Sequence, residues 1–484
     1  MSAQPVEVTT MDAPRVTIHV GDCRDVLKTL PAQSVHCVVT SPPYFGLRDY
    51  GSGQWEGGDP SCEHQVRTPG AVAKSQASST LTSTSREVVG HTKEGYRDVC
   101  PRCGARRVDR QIGLEADVAA YVTALMDVFA EVWRVLRDDG SFFLNLGDSY
   151  AGSGKGPTGK HGVGHHEQRQ GFHTPGRAAG VIRAKSMMCI PERILIALSD
   201  AGWIVRDKIV WHKLAPMPSS ATDRCTGAWE PVYHLTKQQR YYADMEAVRE
   251  PYQDATLSRN KYARNAAEPN KDGQAGYLSS RRNTEEVFIE ANPAGANLRN
   301  VWSLSPAPFD SSALGVDVDH YAMFPPELAR RCVAIGTSER GCCAKCGKPW
   351  TRTTEAEVIP SPGGGSLATA GGAETSPTSI FRTKMVTVQR PTGWQPSCQC
   401  DGRLIRRKVE PGRYVVDYTP HAAMPEPVPA TVLDPFAGAG TTLLVANRLG
   451  RHAIGIELNP SYARLEEARI RADAGMFANV EVIE

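Results

Sequence analysis

Apolar residues fall along this chain in short blocks, and their spacing switches between the two periods of regular structure. Blocks 16–20, 35–40, 141–146, 203–211, 230–235, 431–434 and 452–457 are rich in β-branched and aromatic residues and predict strands. Blocks 23–30, 116–136, 191–201, 325–335 and 441–449 repeat apolar residues at helical spacing. Asp138-Asp139-Gly140 breaks the pattern between the longest helix and the strand after it. Strands of this kind suit a sheet covered on both faces. Alternation of the two periods predicts an α/β fold, doubly wound around a mostly parallel, Rossmann-like sheet. Three stretches carry no period: a Ser/Thr-rich run at 65–97, a Gly/His-rich loop at 152–180 and SPGGGSLATAGGAETS at 361–376. Residues 250–300 are polar and weakly periodic.

Chemistry enters at two of the strand ends. Strand 431–434 runs into Asp434-Pro435-Phe436-Ala437-Gly438-Ala439-Gly440 and then into a helix that starts at Thr441. Gly438 and Gly440 lack Cβ, so backbone there can approach a ligand closely. The next strand ends at Glu457, and an acidic residue about 20 positions beyond such a turn is placed to bond ribose hydroxyls. The third glycine of the dinucleotide fingerprint is absent, since Leu443 stands in the run Gly438-Ala439-Gly440-Thr441-Thr442-Leu443.

Strand 35–40 runs into Ser41-Pro42-Pro43-Tyr44. Two prolines fix an extended loop. Its polar tip suits an exocyclic amine: Ser41 Oγ can accept one amino hydrogen and the Pro42 carbonyl the other, with Tyr44 stacking on an extruded base. An aromatic amine is a poor nucleophile because its lone pair is delocalised, so its geometry and alignment must come from the protein. No Pro-Cys dipeptide occurs, which argues against cytosine-C5 chemistry and its cysteine nucleophile.

With the serine loop ahead of the glycine turn, the chain resembles the permuted, beta-class DNA amino-methyltransferases that use S-adenosylmethionine. DPFAGAGTTLLVANRLGRHAIGIELNPSY is similar to their cofactor region. The resemblance implies that Asp434, Phe436, Gly438, Gly440 and Thr441 surround the cofactor, that Glu457 takes the ribose and that Asn459 borders the adenine. His320-Tyr321-Ala322-Met323-Phe324-Pro325 resembles the segment that touches the methionine end, which places Phe324 there. In most relatives that segment runs almost directly into the glycine turn, whereas here a long insertion intervenes. Gly21-Asp22 resembles the acidic position that bonds the adenine amino group. Serine at position 41 is typical of N4-cytosine enzymes and Asp or Asn of N6-adenine enzymes. The expected activity is therefore methyl transfer to N4 of a flipped cytosine in duplex DNA. The alternatives are N6-adenine transfer, a zinc-dependent DNA-binding protein without catalysis and, less favoured, an RNA substrate. RCTGAWEPVYHLTK resembles a segment beside the base pocket, with Trp229 as a lining residue. The resemblance leaves three roles open: restriction–modification with a restriction endonuclease as functional partner, phage evasion of such a system, or epigenetic marking.

Thirteen cysteines include close pairs, which in a reducing cytoplasm point to metal rather than to disulfides. Cys62 and His64 with Cys100 and Cys103 make one four-ligand set suited to structural Zn²⁺. Cys343 and Cys346 with Cys398 and Cys400 make a second, in which Cys342 can replace Cys343. Arginines follow both sets: Arg102, Arg106, Arg107 and Arg110 after one, Arg403, Arg406 and Arg407 after the other. They suit contact with a DNA backbone, although net charge is only +2. The basic, tyrosine-bearing stretch 257–283 is read as a DNA-reading segment or a surface loop.

The expected organisation follows. Residues 1–61 carry the catalytic loop, 62–110 the first knuckle insertion and 111–245 more of the methyltransferase domain. Residues 246–317 are the target-reading region, 318–336 a returning methyltransferase segment, 337–430 the second knuckle insertion and 431–484 the cofactor half. No apolar run reaches the ~18 residues of a membrane span, and the first residues lack the apolar core of a signal peptide. The expectation is a cytoplasmic protein of a bacterial or phage-infected cell, with no membrane partner.

Overall fold

The computed structural model describes residues 13–46, 50, 52–62, 64, 99–151, 182–183, 185–219, 221–252, 295–306, 314, 323–360, 385–410, 413–421 and 426–484. The aperiodic stretches 65–97, 152–180 and 361–376, the basic stretch 257–283, and His320 to Ala322 lie outside the described residues. The chain divides into two units. The first holds residues 1–242, 300–337 and 429–484, and the second holds 243–299 and 338–428.

The first unit is mixed α/β, built on one nine-stranded sheet. In chain order it contains β1 (Val16–Val20), α1 (Cys23–Thr29), β2 (Val35–Thr40), β3 (Gln54–Glu56), β4 (Arg106–Val108), α2 (Val118–Val135) and β5 (Leu136–Asn145). Then come α3 (Ile190–Asp200), β6 (Ile204–Lys213), β7 (Trp229–Thr236), β8 (Val301–Leu304) and α4 (Pro326–Gly336). The second unit contributes β9 (Cys342–Cys343), β10 (Trp350–Pro360), β11 (Met385–Pro396), β12 (Gly402–Glu410), β13 (Arg413–Pro420) and β14 (Pro427–Val428). The first unit resumes with β15 (Thr431–Asp434), α5 (Thr441–Arg448), β16 (His452–Glu457), α6 (Pro460–Ala474) and β17 (Val480–Ile483).

Strand order across the sheet is β17-β1-β16-β15-β2-β5-β7-β6-β8, and only β7 runs against the others. From β15 the chain winds through α5 and β16 toward one edge. From β2 it winds through α2 and β5 toward the other. The strand order therefore reverses between β15 and β2, and ligands of open α/β sheets bind beyond the strand carboxyl ends at such a point. All six residues of β2 are buried, His36 and Thr40 among them, as in a strand covered on both faces.

One face of the sheet is covered by α2, whose Tyr121, Leu125, Val128, Phe129 and Val132 form a buried stripe. Trp133, Trp203 and Phe142 close the same core with tilted and edge-on ring contacts. Thr441 to Ala446 of α5 are buried throughout, because α4 packs on the helix. Arg451 is buried beside them and donates to Thr337 Oγ1 at 3.0 Å.

The predicted elements are present, with ends shifted by a residue or two except at β5. There the strand assignment runs through Asp138-Asp139-Gly140, where a break is expected. The ladder jumps from Val35 opposite Leu136 to Cys37 opposite Ser141, so the break is a bulge that leaves Arg137 to Gly140 out of the β2 pairing. Lys237 Nζ bonds the Leu136 carbonyl at 2.7 Å and Asp138 at 3.1 Å, and Gln33 bonds Asp138 at 2.7 Å. Val301–Leu304, in the span expected to read DNA, is an edge strand of the central sheet.

In the second unit, β10 pairs with β11 and β12 with β13 as antiparallel hairpins, and β9 pairs with β14. Arg352 bridges Asp244 at 2.9 Å and Glu339 at 2.7 Å. Among the described residues no helix is long and apolar enough to cross a membrane.

Candidate active site

The glycine turn and the serine loop emerge side by side at the reversal point, and one hydrogen bond joins them. Thr40 Oγ1 donates to Asp434 Oδ1 at 2.5 Å. Thr442 Oγ1 donates to Asp434 Oδ2 at 2.8 Å, and the Phe436 amide to Oδ1 at 3.1 Å. Burial raises the Asp434 carboxyl to about 6, although these three donors oppose the shift. Its oxygens are thus engaged within the protein, and Asp434 organises the turn that faces the cleft.

That cleft encloses about 880 Å³ of empty space, part of it open to solvent, within the roughly 300–1,000 Å³ of small-molecule sites. Gly21 and Asp22 from the end of β1, Ser41 and Pro43 from the loop after β2, and Phe436 and Gly438 from the turn after β15 all line it. Glu457 and Asn459 follow β16, and Met323 and Phe324 precede α4. Thr441 also lines the cleft. Gly438 and Gly440 take φ of 59° and 70°, which a side chain would strain. A Cβ on Gly440 would sit 3.0 Å from Glu466 Cγ, so its role is to let the turn close on α6.

Glu457 receives the Gly438 amide at 3.0 Å and the Asn459 amide at 2.8 Å. Burial raises its carboxyl to about 7, and the nearby Asp434 charge adds to the rise. Asn459 caps α6 through Ser461 and donates to the Tyr50 carbonyl at 3.0 Å. Asp22 caps α1 through the Arg24 amide, and the Arg24 guanidinium pairs with its carboxylate at 2.5 Å. Burial pushes the Asp22 carboxyl up, but the bonds and charge of Arg24 hold it below the usual range. Tyr50 and Gln111, which sequence reasoning missed, complete the wall: the Tyr50 amide donates to Gln111 Oε1 at 2.7 Å, and the Tyr50 ring meets Tyr462 edge-on.

The serine loop is held from several sides. Pro42 is buried, Phe45 packs on Tyr121, and Tyr121 donates to the Pro43 carbonyl at 2.9 Å. Ser41 donates to the Tyr44 hydroxyl at 3.3 Å. Tyr44 donates in turn toward Glu230 Oε2 at 3.0 Å and Asn145 Oδ1 at 3.2 Å. The Tyr44 ring lies on Gly147, where any Cβ would come within 2.3 Å of it. Lys213 Nζ pairs with Glu230. Asn145, Gly147 and Lys213 carried no sequence signal, because each is ordinary in its own segment. Trp229 is about half exposed, with Lys208 Nζ 5.9 Å from its ring centre.

Each cysteine set converges within one unit. The ligand atoms of Cys62, His64, Cys100 and Cys103 lie within 4.8 Å of one another, as do those of Cys343, Cys346, Cys398 and Cys400. Sulfurs of Cys62 and Cys100 are 3.9 Å apart, and Cys103 Sγ is 3.4 Å from His64 Nδ1. A tetrahedral site with metal–sulfur bonds of about 2.3 Å has sulfurs about 3.8 Å apart, so the donor set fits. Cys342 instead turns its thiol toward the Val428 carbonyl at 3.4 Å, which leaves Cys343 as the ligand candidate.

The profile of a family described as DNA methylase, comprising N6 and N4 methyltransferases, matches residues 35–344 and 425–468. The type II methyltransferase M.SfiI of Streptomyces fimbriatus is 27% identical over 473 residues, covering 94% of this chain and 91% of that protein. The type II methyltransferase M.Cfr9I of Citrobacter freundii is 29% identical over 328 residues, covering 66% and 72%. The solved PvuII DNA methyltransferase, described as cytosine-N4-specific, superposes with a TM-score of 0.42 at 14% identity, covering 98% of this chain and 99% of that one. A likeness that loose assigns nothing here.

Proposed function

Because the chain belongs to the DNA methylase family of S-adenosylmethionine-dependent N6 and N4 amino-methyltransferases, we propose that it methylates N4 of a cytosine flipped out of duplex DNA. The observation that carries this reading is the Thr40–Asp434 bond, which locks the serine loop to the glycine turn so that Ser41, Gly438 and Glu457 share one cleft. The order of the two motifs supports a permuted version of the fold.

S-adenosylmethionine, when bound, supplies an electrophilic methyl group. Phe324, Phe436 and the backbone at Gly438 and Thr441 would hold it, with the Glu457 carboxylate toward the ribose, Asn459 toward the adenine and Asp22 toward the adenine amino group. Asp434, which also lines the cleft, and Gly440 complete that turn around it. Ser41 Oγ accepts one hydrogen of the target amine and the Pro42 carbonyl the other, which turns the nitrogen lone pair toward the cleft. Among the described residues the Pro42 carbonyl accepts no hydrogen bond, and Ser41 Oγ is bonded to the Tyr44 hydroxyl as its donor. Pro43 keeps the loop extended and Tyr44 stacks on the base. Serine at position 41 favours cytosine over adenine.

Both cysteine sets are read as structural Zn²⁺ sites. The arginines beside them are read as phosphate contacts, and residues 246–317 as the target-reading region. Kinship with type II methyltransferases supports a cytoplasmic role in restriction–modification beside an endonuclease.

The test is transfer of tritium from methyl-labelled S-adenosylmethionine into duplex genomic DNA and into RNA. Label enters DNA alone, and Ser41→Ala lowers it about 100-fold. Label in RNA, or full labelling of DNA by Ser41→Ala, overturns the reading.

A further inference from the structure

The methylated amine must lose a proton, and Ser41 cannot keep it. We propose that Glu230 is the terminal proton acceptor of the transfer reaction, reached from Ser41 through the Tyr44 hydroxyl. The inference rests on the reading of Ser41 as the amine's hydrogen-bond acceptor.

The hydrogen bonds already point the right way. Ser41 donates to Tyr44 at 3.3 Å and Tyr44 donates to Glu230 at 3.0 Å. That direction leaves the Ser41 lone pairs for the amine. Asn145 is the other acceptor within reach of Tyr44, but an amide oxygen is a negligible base at neutral pH. Its nitrogen is spent on the Pro231 carbonyl at 3.1 Å and on Glu230 at 3.4 Å, which fixes the amide with its oxygen toward Tyr44. Among the described residues Glu230 is thus the one carboxylate on the chain of bonds. Lys213 from β6 pairs with its second oxygen, which leaves Oε2 to Tyr44. The charged and titratable groups facing Glu230 are Lys213 and Tyr44, and β5 offers the neutral Asn145. Burial, then the Glu230 charge, push the Tyr44 hydroxyl well above its ordinary value, so it passes a proton on only as it receives one.

The step balances. A nitrogen–carbon bond forms as the sulfur–carbon bond of the donor breaks, and the nitrogen becomes cationic. Its proton goes to Ser41 Oγ, the Ser41 proton to Tyr44 and the Tyr44 proton to a Glu230 oxygen. A neutral N-methylated base amine, a neutral thioether and a protonated Glu230 remain. The Glu230 side chain is 16% exposed and returns the proton to solvent between turnovers.

Glu230 acts through Tyr44, so it is a positioning and proton-holding residue, and its test needs more than rate. Single-turnover transfer, cofactor and DNA affinity, fluorescence of a flipped base analogue and the pH profile are measured for wild type, Glu230→Gln, Tyr44→Phe and the double variant. Glu230→Gln keeps a hydrogen-bond acceptor for Tyr44, and Tyr44→Phe keeps the ring. Each lowers the transfer rate about 10- to 100-fold while affinities and flipping hold. The double variant is no slower than the slower single one, because both cut the same chain. Glu230→Gln loses the acid limb of the profile, and Glu230→Asp recovers part of the rate. A Glu230→Gln rate within about twofold of wild type, with the same profile, overturns the relay. Ser41→Ala separates the two ideas: its failure to slow transfer sinks the Ser41 reading, whereas its collapse beside an active Glu230→Gln sinks the relay alone.

Discussion

Cofactor binding will release protons, and Glu457 sets the amount. Its carboxyl lies buried at the end of β16, raised to about 7 by burial and by the Asp434 charge. At pH 7 the free protein therefore holds it protonated in about half of the molecules. Accepting two ribose hydroxyls requires the anion, so binding S-adenosylmethionine at pH 7 releases about half a proton. The sign follows. Below pH 7 the protein must first lose that proton, and the dissociation constant rises about tenfold per unit, a factor worth about 1.4 kcal/mol. Well above pH 7 the group is already ionised and the dependence vanishes. Arg469, lowered by burial to about 10, stays charged and adds no slope in this window. Isothermal titration calorimetry in two buffers of different ionisation enthalpy reads the released proton directly. Glu457→Gln abolishes both the release and the slope. A wild-type protein whose binding heat at pH 7 is independent of buffer, or that takes up protons, would refute the assignment of Glu457 to the ribose.

Three other outcomes test the architecture. Asp434 has a folded-state carboxyl near 6 against 3.8 unfolded, so its contribution to stability is full below about pH 4 and lost as pH rises through 6. Asp434→Asn will therefore remove about 2 kcal/mol of stability at pH 4 relative to pH 8, measured by urea titration. Gly440→Ala, at φ 70° and facing Glu466 Cγ, will cost about 1–2 kcal/mol of stability by the same titration, with a wild-type midpoint contradicting the turn geometry. Metal analysis will find two zinc ions per chain, and Cys103→Ser or Cys400→Ser will each remove one; a chain purified metal-free without chelator contradicts the knuckle reading.

What could be read from the sequence was local. Pro42-Pro43 and Gly438-x-Gly440 declare their backbone geometry within a few residues, and the close cysteine pairs mark the two places where four ligand atoms converge. Alternation of period was enough for the α/β fold, because β2 and the interior of β5 are buried on both faces. Convergence was not legible. Glu230, Asn145 and Lys213 come from three strands, and only the antiparallel insertion of β7 between β5 and β6 brings them to Tyr44. Helix α6 hides its pattern behind charge, since PSYARLEEARIRADA buries Glu466 among Tyr462, Leu465 and Ile470. The four-residue strands β8 and β17 are too short to show a period, and each belongs to the sheet only through its partner. The Asp138-Asp139-Gly140 bulge reads as an end in sequence because its bonds, to Gln33 and Lys237, come from distant residues.

The central claim is that the serine loop directs methyl transfer to an exocyclic cytosine amine. The measurement that tests it most directly is mass spectrometry of the nucleosides released from duplex DNA after incubation with the protein and S-adenosylmethionine. The account predicts N4-methylcytosine, absent when Ser41 is replaced by alanine. N6-methyladenine in its place would keep the family and contradict the base assignment drawn from Ser41.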